Sequence, residues 1–511
     1  MHHTYFRAAS VLHCSVLLYF CSTVAAKENG DQIASGRELF TREWLPGDSR
    51  SANGDGLGPM FNESSCVSCH NQGGVGGGGP ESKNVEILSV VALADQPADD
   101  AETSRKPKGR IATTLGVVGG RLTQAIKTTA AIKDDLKKLH PDLVGSRSTM
   151  LHRFSVDPQF QSWRNRLERE TVATLFIAEV SDRNDLERFG EDNKLGLRDI
   201  AKAEQEINAI ASRGRSAEGP REVDGFALSI SQRNTTALYG AGLVDSVSTE
   251  VLIAASEERH EEFPEITGRV SKLKDGRLGR FGWKAQHATL TDFSLTACAV
   301  ELGLDVPDHP QSRPPHKSDS AEHSHDMTPA ECSALVEFVA HLSRPVERTA
   351  RSEHEAKTVA AGKEHFAAVG CTACHVPKLG DVDGLYSDLL VHDMGPNLGD
   401  VGVYGGTLPN SSDDTDGPLP LLAAQAMQRP PTEEELAKTV GALRQEWRTP
   451  PLWGFRDSAP YLHDGRAATL HQAVALHGGE ARRSALRYFA LPAAQREELH
   501  AFLKSLTAPG L

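Results

Sequence analysis

The chain has 511 residues, a formal net charge of −14 and 39% hydrophobic residues. At roughly 150 residues per domain this suffices for about three domain-sized units with real cores, which excludes a wholly disordered or fibrous protein. The acidic balance argues against nucleic acid as a partner, because phosphate neutralisation needs a basic face; it suits a basic partner instead.

In chain order, residues 1–26 read as a secretory signal peptide. Arg7 gives a positive start, Ala8 to Cys21 a mostly apolar stretch, and Val24-Ala25-Ala26 a small-residue exit. No later run reaches the ~20 apolar residues of a membrane helix, so an exported, periplasmic chain without a membrane span is expected. Of eight cysteines, Cys14 and Cys21 leave with the leader. Four of the rest form two copies of one pattern, Cys66-Val67-Ser68-Cys69-His70 and Cys371-Thr372-Ala373-Cys374-His375. C-x-x-C-H is the attachment signature of c-type haem. Two thiols about one helical turn apart form thioethers with the vinyl groups, and the adjacent histidine sits under the iron. Two such pentads behind an export signal predict two haem c groups, with His70 and His375 as proximal ligands.

Residues 73–79 (GGVGGGG) suit backbone packed against a porphyrin edge or a turn with positive φ. Val85–Ala94 and Thr171–Val180 have the composition of short strands, and Arg183–Arg213 has a charged helical pattern interrupted near Gly190 and Gly196. Cys298 and Cys332, without a haem role, form a candidate disulfide in an oxidising compartment. Residues 305–327 form a Pro/Ser/His-rich linker with His309, His316, His323 and His325. The expected organisation is a signal peptide (1–26), an N-terminal haem domain with an insertion (27–304), the linker (305–327) and a C-terminal cytochrome-c-like haem domain (328–511).

A weak repeat links the two halves. Arg233-Asn234-Thr235-Thr236-Ala237-Leu238-Tyr239-Gly240 follows the first pentad, and Arg448-Thr449-Pro450-Pro451-Leu452-Trp453-Gly454 follows the second. Fixed-order self-similarity suggests two related haem domains. The longer first gap leaves room for an insertion carrying the β-rich runs. The fold class is therefore read as mainly α, two cytochrome-c-like haem domains with a β-containing insertion in the first.

The Arg448–Leu452 segment, Ala459-Pro460-Tyr461-Leu462-His463-Asp464-Gly465-Arg466 and Thr469-Leu470 together resemble the C-terminal half of bacterial di-haem cytochrome c peroxidases and the related methylamine-dehydrogenase maturation enzyme. Closer still is the resemblance to the di-haem oxidoreductase family, sometimes called thiol oxidoreductases. It is carried by Phe61–Cys66, Gly279-Arg280-Phe281-Gly282-Trp283-Lys284-Ala285, Tyr386–Leu390, His392-Asp393-Met394-Gly395 and His477–Ala481.

The resemblance implies a distal ligand of the second haem fourteen residues after His463, which is His477. Met394 is the strongest rival, followed by His392 and His463. A bis-imidazole centre has a lower potential than one with a thioether and is closed to substrate, which suits electron relay. The first haem has no obvious distal ligand. The position matching His477 is Glu262, with His260, His140, His152 and His287 also available, and Glu257, Glu258 and Glu262 are candidate acid–base carboxylates. The resemblance also implies calcium held by Asn234, Ser458 and Pro460. The tryptophan that lies between the haems in the peroxidases is missing from Gly242–Ser246. The expected function is that of an exported di-haem c-type cytochrome oxidoreductase, peroxidase-like, with a small cytochrome as electron partner and peroxide as candidate oxidant. The alternatives are a non-catalytic periplasmic electron carrier and a maturation enzyme oxidising a partner protein.

Overall fold

The computed structural model describes residues 30–92, 140, 142–143, 148–170, 183–212, 221–223, 226–312, 314–315, 324–400, 402–405 and 445–509. The expected signal peptide, the Thr171–Val180 run, His316 and His323 lie outside the described residues.

The largest sheet has four strands, β1 (Val85–Ala92), β2 (Ser148–Met150), β3 (Arg221–Val223) and β4 (Phe226–Arg233), in the order β2-β1-β4-β3. Val- and Ile-rich β1 pairs antiparallel with β4 along its whole length, from Val85 opposite Arg233 to Ala92 opposite Phe226. Adjacent Ile87 and Leu88 are both buried, so this ladder is covered on both faces. Its end delivers Asn84, Arg233 and Asn234 to the middle of the molecule.

Helices make up most of the rest. They include α1 (Cys66–Cys69), α2 (Leu197–Ala211), α3 (Leu290–Glu301), α4 (Pro329–Ala340), α5 (Glu353–Ala368), α6 (Leu470–Ala475), α7 (Arg482–Ala490) and α8 (Ala493–Ser505). Side-chain caps explain several of the starts: Thr289 for α3, Ser352 for α5, and capping boxes Thr328/Glu331 for α4 and Thr469/Gln472 for α6. α2 buries Ile200, Ala203, Ile207 and Ala211, one stripe at helical spacing. The charged segment before it breaks at 194–196, while Gly190 lies within a helix at a place where a side chain would press on Ile200 and the Leu195 carbonyl.

Two main apolar cores result. One gathers Phe40, Trp44, Leu238, Leu295, Leu335 and Phe338, with Cys66 and Val67 against it. The other gathers Ile200, Phe366, Leu486, Tyr488 and Phe502, with Cys371 against it. The second core crosses the chain halves, since α2 packs on α6 and α7. The ends of the 305–327 segment are built into the fold: Val306 and Met327 are buried, and buried Asp326 accepts hydrogen bonds from the amides of Gly56 (2.6 Å) and Asp305 (2.7 Å).

The expected disulfide is corrected. Cys298 on α3 and Cys332 on α4 are unbonded thiols, each buried in the first core as a small apolar side chain.

Candidate di-haem redox centre

Each pentad opens onto its own cavity. Cys371, Cys374 and His375 line one of about 290 Å³, and Cys66, Cys69 and His70 line one of about 120 Å³.

The imidazoles are set up in the same way. His375 Nδ1 donates to the Tyr386 carbonyl at 2.9 Å, and His70 Nδ1 to the Gly77 carbonyl at 3.2 Å. A carbonyl only accepts, so Nδ1 carries the proton and Nε2 keeps its lone pair. The His70 ring also approaches the Thr236 carbonyl. Burial pulls both imidazoles down to about 4, so they are neutral, as iron ligation requires. The glycine run explains how His70 is reached: Gly73, Gly74 and Gly76 have positive φ, and a Cβ at Gly77 would collide with the Gln72 carbonyl. Paired thiols beside a neutral, oriented imidazole are the donor set that holds a c-type haem, and both cavities offer it.

The cavities differ in what lines them beside the proximal histidine. In the larger one His477 Nδ1 donates to the Ala473 carbonyl at 2.7 Å, leaving Nε2 for a metal, and burial lowers its pKa. His392 drops out as a rival. Its Nε2 and Nδ1 donate to Asp388 (2.9 Å) and Glu480 (2.8 Å), so neither nitrogen offers a lone pair to iron. His463 is stacked on Trp447 at 3.6 Å, with Asp400 3.6 Å from its Nε2. Met394 lines the same cavity and packs beside Leu398, Trp447 and Leu476.

No second imidazole and no thioether is among the described residues lining the smaller cavity. One face of α3 lines it at helical spacing: Phe293, Ser294, Ala297, Cys298 and Glu301. Burial raises the Cys298 thiol well above its ordinary value, so it offers no thiolate to a metal. Glu301 accepts a hydrogen bond from Asn62 Nδ2 at 2.7 Å and another from the Tyr404 hydroxyl. Burial pushes its pKa up to about 7, against the lowering effect of both bonds. The expected carboxylates are corrected: Glu257, Glu258 and Glu262 are exposed and line neither cavity. His140, His152, His260 and His287 do not line the cavities either.

Trp283 lies between the two cavities and lines both. Its indole Nε1 donates to the Asn234 carbonyl at 2.9 Å, and its own carbonyl accepts from the Arg448 amide at 2.9 Å. Buried Arg233 makes a two-point pair with buried Asp400 at 2.7 and 3.1 Å. Asn234, Ser458 and Pro460 share the wall of the larger cavity, and Asn234 Nδ2 is bonded to the Gly79 carbonyl and to Asn84 Oδ1.

Residues 437–506 match the family described as "Di-haem oxidoreductase, putative peroxidase". Over these residues the chain is similar to that family. The matched segment holds Arg448, Ser458, Pro460, His463 and His477, as the sequence resemblance implied, and the chain is a haem oxidoreductase. No curated protein matches. Among solved structures, the chain is similar to hydrazine synthase of Kuenenia stuttgartiensis pressurised with 20 bar xenon, at 18% identity over 59% of this chain and 92% of that one, with a TM-score of 0.26. It is likewise similar to a MauG-like protein associated with microbial copper homeostasis, at 18% identity over 52% of this chain and 90% of that one, with a TM-score of 0.25. No helix among the described residues is long and apolar enough to cross a membrane.

Proposed function

We propose that this di-haem oxidoreductase is an exported, periplasmic, peroxidase-type enzyme that reduces peroxide at the smaller cavity and receives electrons through the larger. One asymmetry supports the reading: a second histidine, His477, lines the larger cavity together with His375, whereas a hydrogen-bonded carboxylate, Glu301, lines the smaller one. Bound haem supplies the one-electron redox chemistry and an iron able to bind a peroxide oxygen.

The chain's residues do the rest. His70 and His375 would hold the two irons, and His477 would offer the second a further ligand. Glu301, ionised in about half the molecules near its pKa of about 7, accepts a proton from incoming hydrogen peroxide and returns it to the departing oxygen. Two electrons and two protons then convert one peroxide to two waters. Asn62 and Tyr404 fix the carboxyl in place. Trp283 gives the two sites a shared aromatic wall for electron exchange.

An acidic surface of net charge −14 suits a small basic cytochrome as electron donor. Calcium at Asn234, Ser458 and Pro460 is part of the same reading, supported by their common place on the cavity wall and by the Asn234 Oδ1 left as an acceptor.

The test is peroxide-dependent oxidation of a reduced small cytochrome c by purified holoprotein. Turnover that collapses in Glu301→Gln but survives added chelator supports the enzyme and removes calcium. Turnover absent from a fully haem-loaded wild type leaves an electron carrier.

A further inference from the structure

Tyr488 on α7 belongs to no step above, yet it is among the largest fully buried side chains and lines the larger cavity. Cys371 packs against the same apolar core that holds Tyr488. Its hydroxyl is held at 2.6 Å by His471 Nδ1 on α6 and at 2.6 Å by His500 Nε2 on α8. Both imidazoles are half-buried and meet edge to face at 5.2 Å. Elsewhere the Tyr239 hydroxyl donates to the Gln72 carbonyl, that of Tyr461 to the Phe455 carbonyl, and that of Tyr404 to Glu301. A buried phenol clamped between two imidazoles next to a haem-attachment cysteine is more than packing requires.

We infer that Tyr488, with His471 and His500, is a proton-coupled electron relay between the larger cavity and the outer face of α6 and α8. The inference rests on a haem being bound at Cys371, Cys374 and His375, but not on peroxide being the oxidant. A phenol has one proton, so one imidazole accepts it while the other donates its N–H to the phenol oxygen. When a one-electron oxidant takes an electron from Tyr488, the O–H bond breaks and the proton passes to the accepting imidazole nitrogen. The product is a neutral phenoxyl radical beside an imidazolium. An electron from an external donor, with return of the same proton, restores the phenol. No atom is lost, and the oxidant gains the one electron that Tyr488 gives up.

The surroundings suit this role. Burial lowers His471 and takes His500 to about 4, so both rings are neutral and one can accept the proton. Arg496, Glu497 and Lys504 on α8 and Glu206 on α2 are the charged groups facing the cluster, and His500 Nδ1 lies 3.7 Å from Glu497 Oε1, ready to stabilise an imidazolium.

Flash-quench oxidation of the haem-loaded protein by an external ruthenium photo-oxidant, read by electron paramagnetic resonance, tests the relay without peroxide. The expected result is a tyrosyl signal that narrows when ring-deuterated tyrosine is incorporated, and that is lost in Tyr488→Phe. In His500→Gln and His471→Gln the yield should fall severalfold, with a reduced solvent isotope effect on its decay, while the haem absorption stays unchanged. A signal that persists in Tyr488→Phe, or no tyrosyl signal in the wild type, overturns the relay. If Tyr488→Phe loses its haem, the two histidine variants decide: an unchanged yield in both overturns it. A photo-generated radical in a protein without peroxide turnover leaves the relay standing and removes the peroxidase reading; intact peroxide turnover without any photo-generated radical does the reverse.

Discussion

The indole of Trp283 is bonded to the Asn234 carbonyl at 2.9 Å, and the Trp283 carbonyl to the Arg448 amide at the same distance. Asn234 and Arg448 belong to the two copies of the internal repeat, so one residue ties the repeats together exactly where the cavities meet. Replacing it by phenylalanine keeps an aromatic wall but strands a buried carbonyl, at a cost of about 1–3 kcal/mol. Trp283→Phe should slow electron exchange between the sites, measured by pulsed reduction, with both haems still attached. Unchanged exchange would remove Trp283 from the path.

On the proposed function, Glu301 makes the peroxide reaction pH-dependent. Only its carboxylate accepts a proton, so the second-order rate with peroxide should rise with pH around a midpoint near 7. Glu301→Gln should flatten that profile and lower the rate by about 10²–10⁴-fold. Stability runs the other way. The folded pKa is raised from 4.5 to about 7, so the folded state binds its proton more tightly and loses stability as pH rises between those values. Chemical denaturation of wild type and Glu301→Gln across that window checks the sign.

His477→Met should keep the second iron six-coordinate and raise its potential in a redox titration, because a thioether stabilises the reduced iron better than an imidazole does. An unchanged potential would transfer the ligand role to Met394, which lines the same cavity.

The Arg233–Asp400 pair should matter for stability. Burial raises Asp400, but Arg233 and His463 outweigh it and hold the carboxyl well below its usual range. Asp400→Asn leaves a buried guanidinium without its countercharge, and should destabilise by about 3–5 kcal/mol in denaturant titration. The pair's contribution is present above the unfolded carboxyl pKa and is lost as pH falls toward the lower folded one.

What could be read from sequence follows from how local each signal is. The two pentads, the β1 strand and the break before α2 rest on short spacings, His477 came from the family resemblance, and His375 and His477 line one cavity. Glu301 was missed because its role depends on α3 turning one face to a cavity assembled from other segments; the available signal was a single acid closing the apolar stretch Leu295–Val300. Trp283 stood in a quoted motif, but its place between the sites depends on contacts across 49 and 165 positions of chain. Cys298 looked like half of a bridge because cysteine count carries no direction, whereas its helix points it at the smaller cavity with Ser294 and Glu301.

The central claim is that the two iron sites are unequal, one open and one closed. Low-temperature electron paramagnetic resonance of the oxidised holoprotein tests it most directly. The account predicts one high-spin ferric signal that shifts on adding cyanide, together with one low-spin bis-imidazole signal that ignores it and disappears in His477→Ala. Two low-spin signals, both indifferent to cyanide, would contradict it.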